Sequence, residues 1–443
     1  MTALADLTAT EAANRLAAGT LTARELVEAC LGRIAERDPQ VEAWSYLNPE
    51  YARAQAEACD RAMRNGGPIG PLHGLPVGIK DIIDTADMPT ENGCAMFEGH
   101  QPEQDAVCVA RLRACGAIIM GKTVTTELAT RSPGKTRHPQ DPKRTPGGSS
   151  SGSAAAVAAG MVPLALGTQT VGSVIRPASF CGIYGLKPTL GLIPRRGVTL
   201  QSHTLDTVGV YARSVDDLAL LTDALDSYDP ADDVSYPRAP SAIADVGKRP
   251  FAGKLRLGFL RTPAWDRADA KAREAVSEFV AGLSGIIENA TLPAAFDTIL
   301  DHHVAVQYAE NIHHFRPLLD RDPTRLTETL RANLADGAKV TAEAYLAALA
   351  AREPLHAIIT NLLATYDALV CLSATGPAPE GLGWTGDPIF NGMWTYLGVP
   401  TVSLPLLDID GLPLGVTLVG PRRGEGRLLR VARAFEVVAT GAA

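Results

Sequence analysis

An uncharged run from Thr145 to Ile175 constrains the fold of this 443-residue chain more than any other feature. It is long enough to cross a membrane, but Gly160, Pro163 and Gly167 interrupt it and it opens on Gly147-Gly-Ser-Ser-Ser-Gly152, so it cannot form one continuous spanning helix. The run must therefore be broken into short elements inside a large core. Composition allows such a core, with 46% hydrophobic and 20% charged residues, ordinary values for a globular protein and unlike a disordered one. The length could make two or three domains, yet large α/β enzymes often build one sheet from a chain of this size, and one domain is the expectation.

Local signals agree with an α/β protein. Thr8-Ala-Thr-Glu11 and Thr22-Ala-Arg-Glu25 have capping-box spacing and predict two early helices, and a third is expected over 49–64, ending at Asn65-Gly-Gly-Pro68. Val77 to Ile83 reads as a buried strand carrying Lys80, and Val107 to Cys115 as a helix feeding a strand at 117–120. The Asp/Pro-rich stretch 228–240 reads as a surface loop and the best candidate boundary. Beyond it, strands are expected at 254–261 and 366–373, helices at 268–283 and through most of 298–365, a loop at 384–394, and Asp410-Gly411 as a tight turn between two strands.

The uncharged run also concentrates small hydroxyl residues and glycines that a core does not need. Ser149 lies in the glycine-framed serine cluster, and Ser173 in a second turn, Gln169-Thr-Val-Gly-Ser173. Upstream, Lys80 ends the apolar Gly74-Leu-Pro-Val-Gly-Ile-Lys80, where an unpaired ammonium would be expensive to bury. Ser149 and Ser173 are 24 positions apart, and Phe180-Cys-Gly182 and Gly185-Leu-Lys-Pro188 follow. Taken together, these motifs resemble the amidase signature family, and the likeness spans nearly the whole chain.

The resemblance implies a single α/β domain over 1–443 with a central mixed sheet flanked by helices on both faces. Its parts would be an N-terminal helical segment (1–66), a catalytic core (67–227), a surface loop (228–253), and the remaining sheet with a helical cap (254–443). It also implies a mechanism without metal or cofactor. Ser173 attacks an amide carbonyl, Ser149 passes its proton along, and unprotonated Lys80 accepts it and returns it to the leaving amine. A free lysine titrates near roughly 10.4, so Lys80 must be shifted down by burial, which Val77, Ile79, Ile82 and Ile83 can supply. The family carries a cis bond at the position of Gly148–Ser149, and the backbone N–H groups of Thr170, Val171, Gly172 and Ser173 would form the oxyanion hole. The family commonly has Asp and Gly where this chain has Gln169 and Val171, so a positive φ is not expected at Val171.

Arg176, in Ser173-Val-Ile-Arg176, resembles the malonamidase-like branch, where the arginine binds a substrate carboxylate. A small carboxylate-bearing amide or ureido compound is the substrate this implies. Alternatives are neutral aliphatic or aryl amides, and an ammonia-producing subunit of a tRNA-dependent amidotransferase. Other chemistries leave weaker traces. Gly148-Ser-Ser150-Ser-Gly152 formally matches a nucleophile elbow centred on Ser150. His303, Glu310 and His314 could share a helical face and suggest a metal, but no close His-x-x-x-His pair supports it.

The net charge of −8 offers no basic surface for nucleic acid or anionic lipid. The N-terminal sequence lacks a basic start followed by an apolar stretch, and the seven cysteines have no Cys-x-x-Cys spacing. A cytoplasmic enzyme with reduced thiols is the expectation. Its partners would be a small amide and water, with a homodimer as the family's common habit.

Overall fold

The computed structural model describes residues 3–67, 69–239 and 241–441, so Pro68 and Pro240 of the two expected breaks lie outside the described residues. The strands are β1 (Trp44–Leu47), β2 (Pro76–Lys80), β3 (Ile118–Thr123), β4 (Leu164–Gln169), β5 (Tyr184–Lys187), β6 (Thr207–Ala212), β7 (Leu257–Leu260), β8 (Ile287–Ala290), β9 (Ala368–Leu372), β10 (Thr401–Ile409) and β11 (Leu412–Val419). Among the described residues they form an 11-stranded sheet in the order β1-β3-β2-β4-β6-β5-β10-β11-β9-β7-β8. Pairing is mixed: β2 runs parallel to β3 and β4, whereas β4 and β5 flank β6 antiparallel.

The middle strands are buried on both sides. Every residue of β2, β3, β4 and β6 is buried, which explains why their sequences are continuous apolar runs and not alternating ones. Helices cover them, from Pro49–Arg64 against β3 to Glu425–Thr440 against β10. Among the described residues, no helix is long and apolar enough to cross a membrane.

Both capping boxes form, with Thr8 and Thr22 each accepting from the backbone N–H three residues on while Glu11 and Glu25 reach back. The helix Pro49–Arg64 begins at a capping Asn48 with proline in its first turn. In the C-terminal part, helices Ile299–Arg321, Glu328–Gly337 and Ala342–Thr365 fill the expected helical region, and β10 and β11 meet across Asp410-Gly411.

Three boundaries differ from expectation. The N-terminal segment is not purely helical, because the four-residue β1 joins the sheet edge antiparallel to β3. The segment 228–253 is not simply a surface loop. Its helix Ile243–Lys248 packs on helices Val215–Leu225 and Glu425–Thr440, and two of its aspartates are buried ion-pair partners: Arg195–Asp232 at 2.9 Å and Arg196–Asp229 at 2.7 Å. Aspartate and proline enrichment reads as solvent exposure until the arginines more than thirty positions earlier are brought alongside. Nor does this segment divide the sheet, since β5 before it pairs directly with β10 after it. Finally, the expected loop 384–394 contains the start of a helix, Ile389–Tyr396.

Candidate active site

The chain turns sharply at Lys80. The N–H groups of Ile82 and Ile83 both donate to its carbonyl, at 2.8 and 3.0 Å, which ends β2 there instead of at Ile83. The side chain is fully buried, with Nζ 2.7 Å from Ser149 Oγ and 2.8 Å from Thr168 Oγ1. Among the described residues Lys80 has no ion pair, because neighbouring Asp81 is committed to Lys122 Nζ at 3.4 Å. Burial holds the Lys80 amine well below its ordinary range, and the more distant Asp206 carboxylate only partly opposes this. An uncharged amine between two hydroxyls can accept from one and donate to the other.

Ser149 is presented by a tight approach to the helix Ser151–Ala158. Gly147 adopts φ +85°, and a Cβ there would sit 3.0 Å from Pro177 Cα, so only glycine suits the turn. The following peptide bond, Gly148–Ser149, is cis. The other serines of the cluster stitch the helix to the sheet. Ser150 Oγ accepts from Thr168 N and donates to Thr168 O, at 3.1 and 3.2 Å, while Ser153 Oγ donates to Leu166 O at 2.7 Å. Ser150 is fully buried in these bonds and among the described residues has no histidine partner, which removes the elbow reading. The variant Ser150→Ala is expected to keep amide-cleaving activity within about tenfold while losing roughly 1–3 kcal/mol of stability, since it leaves buried Thr168 backbone groups short of partners. Steady-state rates and urea midpoints check this.

Ser173 lies in the loop after β4, and the loop's hydrogen bonding is one-sided. Each carbonyl is occupied: Thr170 O accepts from His303 Nε2 at 3.0 Å, Val171 O from Thr395 Oγ1 at 2.8 Å, Gly172 O from Arg176 N at 2.9 Å and Ser173 O from Tyr211 OH at 2.9 Å. The N–H groups of Val171, Gly172 and Ser173 donate to no acceptor among the described residues. Four tethered carbonyls fix the peptide planes and leave those donors free. Neither Val171 nor Gly172 takes a positive φ. Gln169 accounts for the departure at its position, because its Oε1 accepts from Val174 N and Ile175 N, capping the next helix, while its Nε2 donates to Thr395.

Thr170, Val171, Ser173 and Arg176 line a cavity of about 360 Å³, closed on other sides by His303, Gln307, Asn333 and the segment Trp384–Ile389. Ser173 is 8% exposed and Ser149 2%. No hydrogen bond joins Ser149 to Ser173 among the described residues; the Lys80–Ser149 contact is made and the second link is open.

Known proteins are similar to this chain over nearly its whole length. A family model described as Amidase matches residues 25–429. The chain belongs to the amidase family. A glutamyl-tRNA(Gln) amidotransferase subunit of Chloroflexus aggregans is 35% identical, over 99% of this chain and 97% of that protein, and the corresponding subunit of Rhodopirellula baltica is 34% identical, over 97% and 96%. Among solved structures, a protein from a vestigial complex bearing on the origins of an s-triazine catabolic enzyme aligns with TM-score 0.91 at 29% identity, covering 98% of each chain. Peptide amidase from Stenotrophomonas maltophilia aligns with TM-score 0.84 at 29% identity, covering 98% of this chain and 97% of that one. The single α/β domain is thus the amidase signature fold, and the enzyme acts on carbon–nitrogen bonds. None of these relatives is a malonamidase by name.

In this amidase Arg176 is buried on the cavity wall and engaged with the protein itself. Nη1 donates to Gly386 O, and Nη2 to Gly148 O at 2.6 Å and Thr385 Oγ1 at 3.2 Å. Any two-point grip on a carboxylate, end-on or side-on, uses Nη2, which already has two acceptors. A two-point carboxylate clamp at Arg176 is therefore not what these bonds leave room for, its buried Nε alone being without a partner; the guanidinium instead ties the Gly148–Ser149 turn to the loop over the cavity.

The metal reading also dissolves. Glu310 accepts from the hydroxyls of Ser202, Thr204 and Tyr345, and His303, held neutral by burial that lowers it to about 4, donates to Thr170. Among the described residues no group of histidine, cysteine or carboxylate side chains could hold a metal ion. Cys181 is buried, which raises its thiol, and donates to Pro146 O, so it is no activated nucleophile. Sequence reasoning missed Thr168, Tyr211 and Thr395 as parts of the site, and singled out His303 only as a candidate metal ligand and not as a tether of this loop. The last two approach from elements more than 130 positions downstream of the loop they tether, and no local pattern marks them.

Proposed function

We propose that this amidase hydrolyses small amides through a Ser173 acyl-enzyme, with Lys80 as base and acid and Ser149 as the relay. The observation that carries this reading is the 2.7 Å contact between Lys80 Nζ and Ser149 Oγ, made where burial lowers the amine well below its ordinary range. Ser173 Oγ adds to the carbonyl carbon as its proton moves to Ser149, whose own proton moves to Lys80. The oxyanion is received by the free N–H groups of the 171–173 loop. Collapse expels the amine, which takes the proton back from Lys80 through Ser149, and water then cleaves the ester by the same relay in reverse. Arg176 positions the Ser149 turn.

The substrate we favour bears a carboxylate. Arg131 lines the mouth of the cavity, is exposed, and has no carboxylate partner among the described residues, whereas the neighbouring Arg267 is paired with Asp387 at 2.9 Å. The same chemistry admits glutamine, and the relatives named as amidotransferase subunits favour a second reading in which this chain supplies ammonia to a partner. Ammonia release by the purified chain from succinamate, glutamine and butyramide tests both. Succinamate is expected to exceed butyramide by at least about tenfold, with Arg131→Gln erasing the difference. Equal rates on the two would refute the carboxylate reading. Ammonia from glutamine alone, appearing only when a partner is added, would establish the second.

A further inference from the structure

A second cleft, of about 240 Å³, is lined by Thr189, Tyr236, Arg352, Glu353, Arg422 and Arg423 and shares no lining residue with the active-site cavity. Three guanidinium groups face one carboxylate there, on a chain whose net charge is −8. The arginines are not balanced locally. Arg422 donates to Leu397 O at 2.8 Å and pairs with Glu353 at 2.9 Å, but its Nη2 is buried without a partner. Arg352 makes no hydrogen bond or ion pair among the described residues, and its Nε is buried without a partner. The side chain of Arg423 only stacks on Tyr236, 4.0 Å from the ring centroid, while the Tyr236 hydroxyl is itself buried and unpartnered. By contrast Arg238, on the same ring, is satisfied by Asp226 and three carbonyls.

Buried donors without acceptors are costly, and converging guanidinium groups repel. Burial and neighbouring Arg422 hold Arg352 down at about 10, the direction expected of a cation missing its counter-ion. The backbone accommodates the crowding, since a Cβ on Gly398 would lie 2.9 Å from Arg352 Nη2. We infer that this cleft is a binding site for a small phosphate-bearing anion, with Arg352, Arg422 and Arg423 gripping the oxyanion and Tyr236 donating to it. Phosphate suits the site better than a halide because several fork-shaped donors converge on one volume. The volume suits a small molecule and not a polymer.

Calorimetric titration of the full chain at about 0.15 M ionic strength tests the site, with inorganic phosphate as probe and glycerol 3-phosphate as a second arm. Saturable phosphate binding at about millimolar affinity or tighter is expected, weakened at least about tenfold in Arg352→Gln and in the exposed-residue variant Arg423→Gln. Tighter binding of glycerol 3-phosphate than phosphate points to a phosphorylated metabolite; equal binding points to the free ion. An absence of saturable phosphate binding, or wild-type affinity retained in folded Arg423→Gln, overturns the inference. Because the readout is binding and not turnover, the result is independent of the amidase mechanism.

Discussion

Ser173→Ala is expected to lower kcat by about 10⁴-fold or more on any amide the enzyme turns over, while leaving substrate affinity within a few-fold. Of the two hydroxyls in the loop, that of Thr170 is bonded to Asp206, which leaves that of Ser173 as the proposed nucleophile. Its removal leaves the free N–H donors of the 171–173 loop and the tethers of their carbonyls to His303, Thr395, Arg176 and Tyr211 in place. Affinity should persist because binding depends on cavity walls that the change does not touch. Single-turnover rates and equilibrium titration of the variant with substrate separate the two quantities. If Ser149→Ala abolished turnover and Ser173→Ala did not, the nucleophile would have to be reassigned.

Lys80→Met should lower kcat/KM by roughly 10³–10⁴-fold near neutral pH, the range a positioned acid–base group supplies. It should also change a second, independent property. Because the folded protein holds the Lys80 amine well below its ordinary value of 10.5, the unfolded chain binds more protons between the depressed value and 10.5. Stability therefore rises with pH across that window, and the increment this one group contributes is absent once pH falls below the depressed value, where the native state must bury a charge. The slope is at most about 1.4 kcal/mol per pH unit for one group. Lys187, also fully buried and lowered to about 7, adds a term of the same sign in wild type and variant alike, so the difference between them isolates Lys80. Urea midpoints from pH 6 to 10 should converge on a flatter dependence in Lys80→Met. In wild type, kcat/KM should fall on the acid side as Lys80 takes up its proton.

Lys80, Ser149 and Ser173, the residues of the proposed triad, stood out because three short patterns keep a fixed spacing and each calls for residue types that packing alone does not; the structure brings Lys80 and Ser149 into contact. The strand under Lys80 and the capped N-terminal helices were legible for simpler reasons: an unbroken apolar run and Thr-x-x-Glu spacing. What stayed hidden depends on distant partners. Tyr211 reaches the Ser173 carbonyl only because β6 folds back antiparallel on β4, and His303 reaches Thr170 from a helix in the C-terminal half. β1 is four residues long, too short for any periodicity to register. Arg176 was expected to bind a substrate carboxylate because its position after Ser173 resembles the malonamidase-like branch, but its acceptors include carbonyls of Gly148 and Gly386, and backbone acceptors have no signature in a sequence. Asp229 and Asp232 misled for the same reason, as buried pairing is a property of the fold and not of the local composition.

Lys80, acting through Ser149, makes Ser173 the residue that carries the acyl group in the proposed reaction. Acid-quenched turnover of a slowly deacylating amide, followed by peptide mapping, reads this directly. The predicted result is an acyl adduct on Ser173 alone in wild type, reduced by about 10³-fold in its rate of formation in Lys80→Met. An adduct on Ser149 or Ser150, or one that forms on Ser173 equally fast without Lys80, would contradict it.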